Sequence, residues 1–71
     1  MNYKVTPKLG KLLNEREITQ VKLVEMCGGN ITQATISRFD KNEKFIAAHL
    51  VLISKALGLT IEDLFEIEEE K

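Results

Sequence analysis

Gln33, Ala34, Ser37, Arg38 and Lys41 are spaced so that, at about 100° per residue, they share one side of a helix. Their side chains can hydrogen-bond or touch the edges of nucleic-acid bases. A glutamine can bond adenine through two hydrogen bonds, an arginine can bond guanine at O6 and N7, and an alanine methyl can meet the methyl of thymine. Thr35 lies at the edge of the same face, and Thr32 stands just ahead of it. Gln20 opens an earlier helical stretch, a position where amides and side chains can hold phosphate. Lys41, Asn42 and Lys44 follow in a polar loop able to add phosphate contacts. An ordinary solvent-facing helix carries a similar mixture, so the inventory has meaning only if other elements present that face.

The elements that would do so announce themselves by a repeated start signal. Ile-Thr-Gln occurs at Ile18-Thr19-Gln20 and again at Ile31-Thr32-Gln33. A threonine at the N-cap satisfies one of the unpaired amides of the first turn, and the preceding isoleucine can staple onto an apolar residue five positions on. Both staples exist, Ile18 with Leu23 and Ile31 with Ile36. The first stretch predicts a helix from Thr19 to about Cys27, stopped by Gly28, and the second a helix from Thr32 to about Lys41, stopped by Asn42. Gly28-Gly29-Asn30 forms the break between them. Two short helices joined by a tight polar turn make a helix-turn-helix, with Ile36 and Phe39 of the second helix turned inward.

Three further helices complete the expectation of an all-α, five-helix fold. The first should have Thr6 as its cap and Pro7 as its first residue, where a missing amide is harmless, with Leu9, Leu12, Leu13 and Arg16 at helical spacing and Gly10 weakening it slightly. The fourth covers about Ile46 to Leu57, with Leu50, Ile53 and Leu57 inward and Gly58 as terminator. The fifth repeats the entry pattern, with Leu59 stapled to Leu64, Thr60 as cap and Asp63 completing a capping box. It runs into a solvated, fraying segment from Glu66 to Lys71. No strand is expected.

Seventy-one residues, 44% hydrophobic and 30% charged, suit one small folded domain over residues 1–71 with an acidic tail at about 66–71. The net charge of −1 argues against nucleic acid until its distribution is read. Residues 62–71 hold six acids and one base, whereas residues 1–61 hold nine bases against five acids, a local +4. A single cysteine cannot form an internal disulfide, which fits a cytoplasmic chain, and the longest apolar stretch, Phe45 to Ile53, is too short to cross a bilayer. Cys27 and His49 together make no metal site; Cys27 reads as an ordinary core residue, His49 as a partly exposed filler, and Met26 and Tyr3 as packing residues. No catalytic grouping or phosphate-binding glycine loop is visible, so neither an enzyme nor a cofactor is expected. On the fourth helix Leu52 is expected to point outward and Val51 to lie at the boundary. With Ala48 and the apolar members of the last helix they offer a patch for a second subunit.

Taken together, Thr19-Gln20, Leu23, Val24, Glu25, the glycine turn, Ile31-Thr32-Gln33-Ala34-Thr35-Ile36-Ser37-Arg38-Phe39, and Lys55-Ala56-Leu57-Gly58-Leu59-Thr60 with Leu64-Phe65 resemble the lambda-repressor-like, Xre/Cro-type helix-turn-helix domains. The resemblance spans roughly residues 6–66. It implies a five-helix, sequence-specific DNA-binding domain, of a kind found in transcriptional regulators of bacteria, phages and mobile elements that act as homodimers on palindromic operators. By that similarity Gln33, Ala34, Thr35 and Arg38 face bases, while Gln20, Ser37, Asn42 and Lys44 serve phosphates. Three departures stand out: the turn between the second and third helices is about two residues longer than the family norm; Asn42 replaces a glycine; and Leu13 replaces an arginine that would pair with an acid at Asp40. This last change leaves Asp40 to solvent, to Lys44 or to Arg16. The rival readings are a protein-interaction module on the same fold, such as an antitoxin or antirepressor-binding factor, and, more remotely, a small enzyme or ligand sensor.

Overall fold

The computed structural model describes residues 2–70. Its elements in order are strand β1 (Asn2–Pro7), helices α1 (Leu9–Glu15), α2 (Gln20–Met26), α3 (Gln33–Asp40) and α4 (Ala47–Leu57), a single 3-10 turn (Glu62–Leu64) and strand β2 (Phe65–Glu70). The fold is therefore four helices plus a two-stranded sheet, and the five-helix, all-α expectation is corrected at both ends of the chain.

At the start, Thr6 and Pro7 belong to β1, not to a helix. Helix α1 begins at Leu9 behind Lys8, whose side chain makes no cap bond. At the end, the expected fifth helix is reduced to the 3-10 turn, and Glu66–Glu70 form β2 instead of a fraying tail; Lys71 lies outside the described residues. The two strands pair antiparallel in the register Asn2↔Glu70, Tyr3↔Glu69, Lys4↔Glu68, Val5↔Ile67, Thr6↔Glu66 and Pro7↔Phe65. Opposed residues share a face, so Tyr3, Val5, Pro7, Phe65, Ile67 and Glu69 lie on one side and the remaining polar pairs on the other. Pro7 is tolerated because it ends the strand.

The middle of the chain follows its capping chemistry. Thr19 accepts from the Lys22 amide at 3.0 Å, and Thr32 from the Thr35 amide at 3.2 Å. Thr60 and Asp63 form a reciprocal capping box, with the Thr60 amide donating to Asp63 Oδ2 (3.0 Å) and the Asp63 amide to Thr60 Oγ1 (3.2 Å). Hydrogen bonding to the carboxylate from the Thr60 backbone amide first, and from the Thr60 hydroxyl second, holds the Asp63 carboxyl below its ordinary range. Asn42 takes the left-handed conformation (φ 56°) that stops α3, and Gly58 (φ 71°) stops α4.

One core ties the helices together: Leu9, Leu13, Leu23, Cys27, Ile31, Ile36, Phe39, Leu50, Ile53, Leu57 and Leu64 are buried. Around it pack Leu12, Ile18, Val24, Leu52, Ala56, Leu59 and Phe65. Leu52 leans on the core, against the expectation that it points outward, while Val51 at 39% exposure lies at the boundary as expected. Met26 and Tyr3 are likewise exposed, not packed inside. Burial pushes the Cys27 thiol pKa up, disfavouring the reactive thiolate and leaving a packing role. Phe39 meets Phe45 edge-on (ring centres 5.2 Å apart) and Phe65 edge-on (5.3 Å), so the end of α3, the loop before α4 and the base of β2 converge on one aromatic cluster.

Candidate nucleic-acid interface

Helix α3 is a short two-turn element, and its orientation is set from both ends and from beneath. Beneath, Ile36 and Phe39 are 1% exposed each, which turns the opposite face to solvent. At its start, the α2–α3 connection makes two successive left-handed steps, Gly28 (φ 69°) and Gly29 (φ 74°), which residues carrying a Cβ adopt only with strain. The Gly28 and Gly29 amides close onto the Glu25 and Val24 carbonyls, and Asn30 Nδ2 donates to the Cys27 carbonyl at 3.1 Å. Ile31, 3% exposed, then anchors the turn in the core immediately before the Thr32 cap. The longer turn is thus a hydrogen-bonded unit.

At the far end of α3, Asp40 accepts a 2.8 Å hydrogen bond through Oδ1 from the Gly10 amide in the first turn of α1. Asp40 remains exposed, as expected, but its partner is neither Lys44 nor Arg16; Arg16 instead donates to the Leu57 carbonyl at 2.9 Å. The bond also explains Gly10: a Cβ there would stand 2.6 Å from Asp40 Oδ2. The carboxylate sits at a helix N-terminus, where the dipole and free amides favour negative charge.

On the outward face Gln33, Ala34, Arg38 and Lys41 are exposed, and Thr35 and Ser37 are half-buried. Among the described residues, the side chains of Gln33, Arg38, Lys41 and Lys44 make no hydrogen bond or ion pair. Thr32 differs: its hydroxyl caps α3 and lies 3.1 Å from the Thr35 hydroxyl, so both threonines are engaged within the helix. Gln20 is exposed at the first position of α2, and Asn42 is exposed at the stop of α3. Arg38, Lys41 and Lys44 give the face its positive character, while the nearby Asp40 carboxylate is occupied by Gly10.

Arg38, Thr35 and Lys44 come together with Phe45, Ile46 and His49 around a shallow groove of about 120 Å³. Arg38 and Lys44 are among the residues expected from sequence; Phe45, Ile46 and His49 are not. The signal for them was an aromatic and a β-branched residue placed directly after the basic loop, with His49 one helical turn beyond Ile46 on α4. Among the described residues no group of histidine, cysteine or acid side chains is arranged to hold a metal ion, and no helix is long and apolar enough to cross a membrane.

Comparison with known proteins agrees with this arrangement. The crystal structure of the transcriptional regulator VanUg (form II) is similar over 99% of this chain and 92% of that one, with 27% sequence identity and a TM-score of 0.69. No significant match was found among curated proteins. The Cro/C1-type helix-turn-helix DNA-binding domain matches residues 8–70, which takes in every element after β1. The chain belongs to the Cro/C1-type helix-turn-helix DNA-binding family.

Proposed function

We propose that this protein is a sequence-specific transcriptional regulator that inserts α3 into the major groove, acting as a repressor and binding a palindromic operator as a homodimer. The observation that carries the reading is the state of α3: its apolar side is sealed into the core while Gln33, Ala34 and Arg38 face solvent, the two polar side chains among them having no partner among the described residues. Gln33 and Arg38 then read base edges, with Ala34 and Thr35 adding contacts. Gln20, Ser37, Lys41, Asn42 and Lys44 hold the flanking phosphates, and Thr32 contributes mainly by capping the reading helix. The kinship with a transcriptional regulator of known structure supports the regulatory part of the reading.

Selection of bound sequences from a random DNA pool tests it. The expected result is a palindromic consensus with half-sites about one helical turn, roughly 34–36 Å, apart. A pool that stays random after several rounds would refute sequence reading. The four glutamates of β2 favour a second reading, in which the same fold binds another protein. Absence of any mobility shift on random DNA at low salt would favour it.

A further inference from the structure

The ribbon formed by β1 and β2 is held to the helical body only near its base. There Pro7 is buried, Phe65 joins the aromatic cluster, and the Lys8 amide bonds the Leu64 carbonyl at 2.9 Å. Beyond that base every residue of both strands is exposed, including Tyr3 at 57%, Val5 at 44% and Ile67 at 42%. These three lie on one face, in line with Pro7 and Phe65, so the core's apolar surface continues outward along the ribbon. A two-stranded ribbon is marginal in water, and three or more strands are the usual minimum for a stable sheet. Among the described residues the sheet contains β1 and β2 alone, so each strand leaves one edge without a neighbouring strand.

The two edges differ in charge. Strand β2 carries Glu66, Glu68, Glu69 and Glu70 within six residues, whereas β1 carries only Lys4. Joining two copies through β2 would set eight carboxylates across a strand spacing of about 5 Å, and like charges so opposed are destabilising. Joining them through β1 brings together a strand that is almost free of charge and leaves both acidic strands outermost, where charged edges prevent further strand addition. Packing through α4 has less to offer, because Leu52 leans on the core of its own chain and the apolar residues left outside, Val51 at 39% and Ile61 at 38%, are less exposed than those of the ribbon.

We infer that β1 is the surface on which a second copy of this chain docks, antiparallel and about a two-fold axis, merging two ribbons into a four-stranded sheet in the order β2-β1-β1-β2. The arrangement is self-complementary, as a two-fold interface must be. It sets Val5 and Ile67 of both copies on one continuous apolar face, and it closes at two copies because β2 guards each outer edge. Naming this surface deepens the homodimer proposed above and rests on that reading for its purpose.

Cysteine scanning of the full chain tests it, with the native Cys27 left in place because it is buried. Under mild oxidation one of Lys4→Cys, Val5→Cys and Thr6→Cys, the position nearest the two-fold axis, should link two chains covalently, whereas Glu66→Cys and Glu68→Cys should not. In sedimentation experiments Val5→Lys should weaken self-association at least about tenfold, with the helical circular-dichroism signal unchanged. Cross-linking through the β2 cysteines as efficient as through β1, a wild-type dimer that Val5→Lys leaves intact, or a wild-type chain that remains monomeric at high concentration would each overturn the interface. The failures separate: a monomer that still selects a DNA consensus refutes the β1 interface and leaves base reading by α3 standing, while a β1-linked dimer that shifts no DNA does the opposite.

Discussion

The bond between Asp40 and the Gly10 amide makes a prediction whose sign depends on the partner. Replacing Gly10 by alanine in the native chain does two opposing things. It relieves the helical penalty of glycine, about 0.8–1 kcal/mol in a helix interior. It also brings a Cβ to 2.6 Å from Asp40 Oδ2, forcing the carboxylate aside and breaking the 2.8 Å bond from the Gly10 amide. A hydrogen bond to a charged group contributes about 1.5–3 kcal/mol, less at an exposed site such as this one, so we take about 1 kcal/mol. Gly10→Ala should therefore be close to neutral, and Asp40→Ala should destabilise by about 1 kcal/mol, or roughly 4–8 °C in Tm for a chain of this size. Once Asp40 is gone nothing opposes the alanine, and Gly10→Ala in the Asp40→Ala background should stabilise by about 0.5–1 kcal/mol. Urea denaturation of the four proteins closes the cycle, and a coupling of about 1 kcal/mol is expected. Additivity within about 0.3–0.5 kcal/mol would refute the claim that this contact clamps α3 to α1. Because the clamp sets the pitch of the reading helix, Asp40→Ala should also reduce DNA affinity beyond what its stability loss explains.

Three further outcomes are expected. Arg38→Ala should cost about 1–3 kcal/mol on the best DNA site and relax choice at one base pair; equal losses on specific and random DNA would remove its base-reading role. Lys44→Ala should weaken binding to all sequences and reduce the salt dependence by about one unit in the slope of log K against log salt, and an unaltered slope would argue against a phosphate contact. The folded-state pKa of Asp63 is lowered by the Thr60 amide and hydroxyl, so its stabilising effect is present above the ordinary 3.8 and lost as pH falls through the folded-state value. Thermal melts should accordingly show wild type and Asp63→Asn converging as pH drops below about 4, and a constant Tm difference from neutral to strongly acid pH would contradict the capping box.

What could be read without coordinates was the chemistry that closes within one turn. Thr19, Thr32 and Thr60 cap the residues three ahead of them, Asn42 and Gly58 stop their helices by local backbone preference, and Ile36 and Phe39 define a buried face by spacing alone. That is why the helix-turn-helix and its outward residues were legible. The clamp on Asp40 was not, because its donor is the backbone amide of Gly10, thirty positions away, and an amide leaves no mark in a residue's type. His49, Phe45 and Ile46 are brought beside Arg38 by the packing of α4 against the rest, a relation that spacing within one helix does not encode.

The sheet shows the same division most clearly. Tyr3, Val5 and Pro7 alternate as a strand should, and so do Phe65 and Ile67, but each run is short and each has a local competitor. Thr6-Pro7 imitates a helix start, and Glu66–Glu70 imitates a solvated tail. Only the meeting of the two ends, Val5 opposite Ile67 and Pro7 opposite Phe65, satisfies their backbone groups and decides for strand. Within the helix-turn-helix, sequence by itself determined which residues cap, stop and face outward, since those effects act over three or four positions. The fate of the two ends, and with it the exposed ribbon, belonged to tertiary structure, because strand pairing is a non-local bond between segments some sixty residues apart.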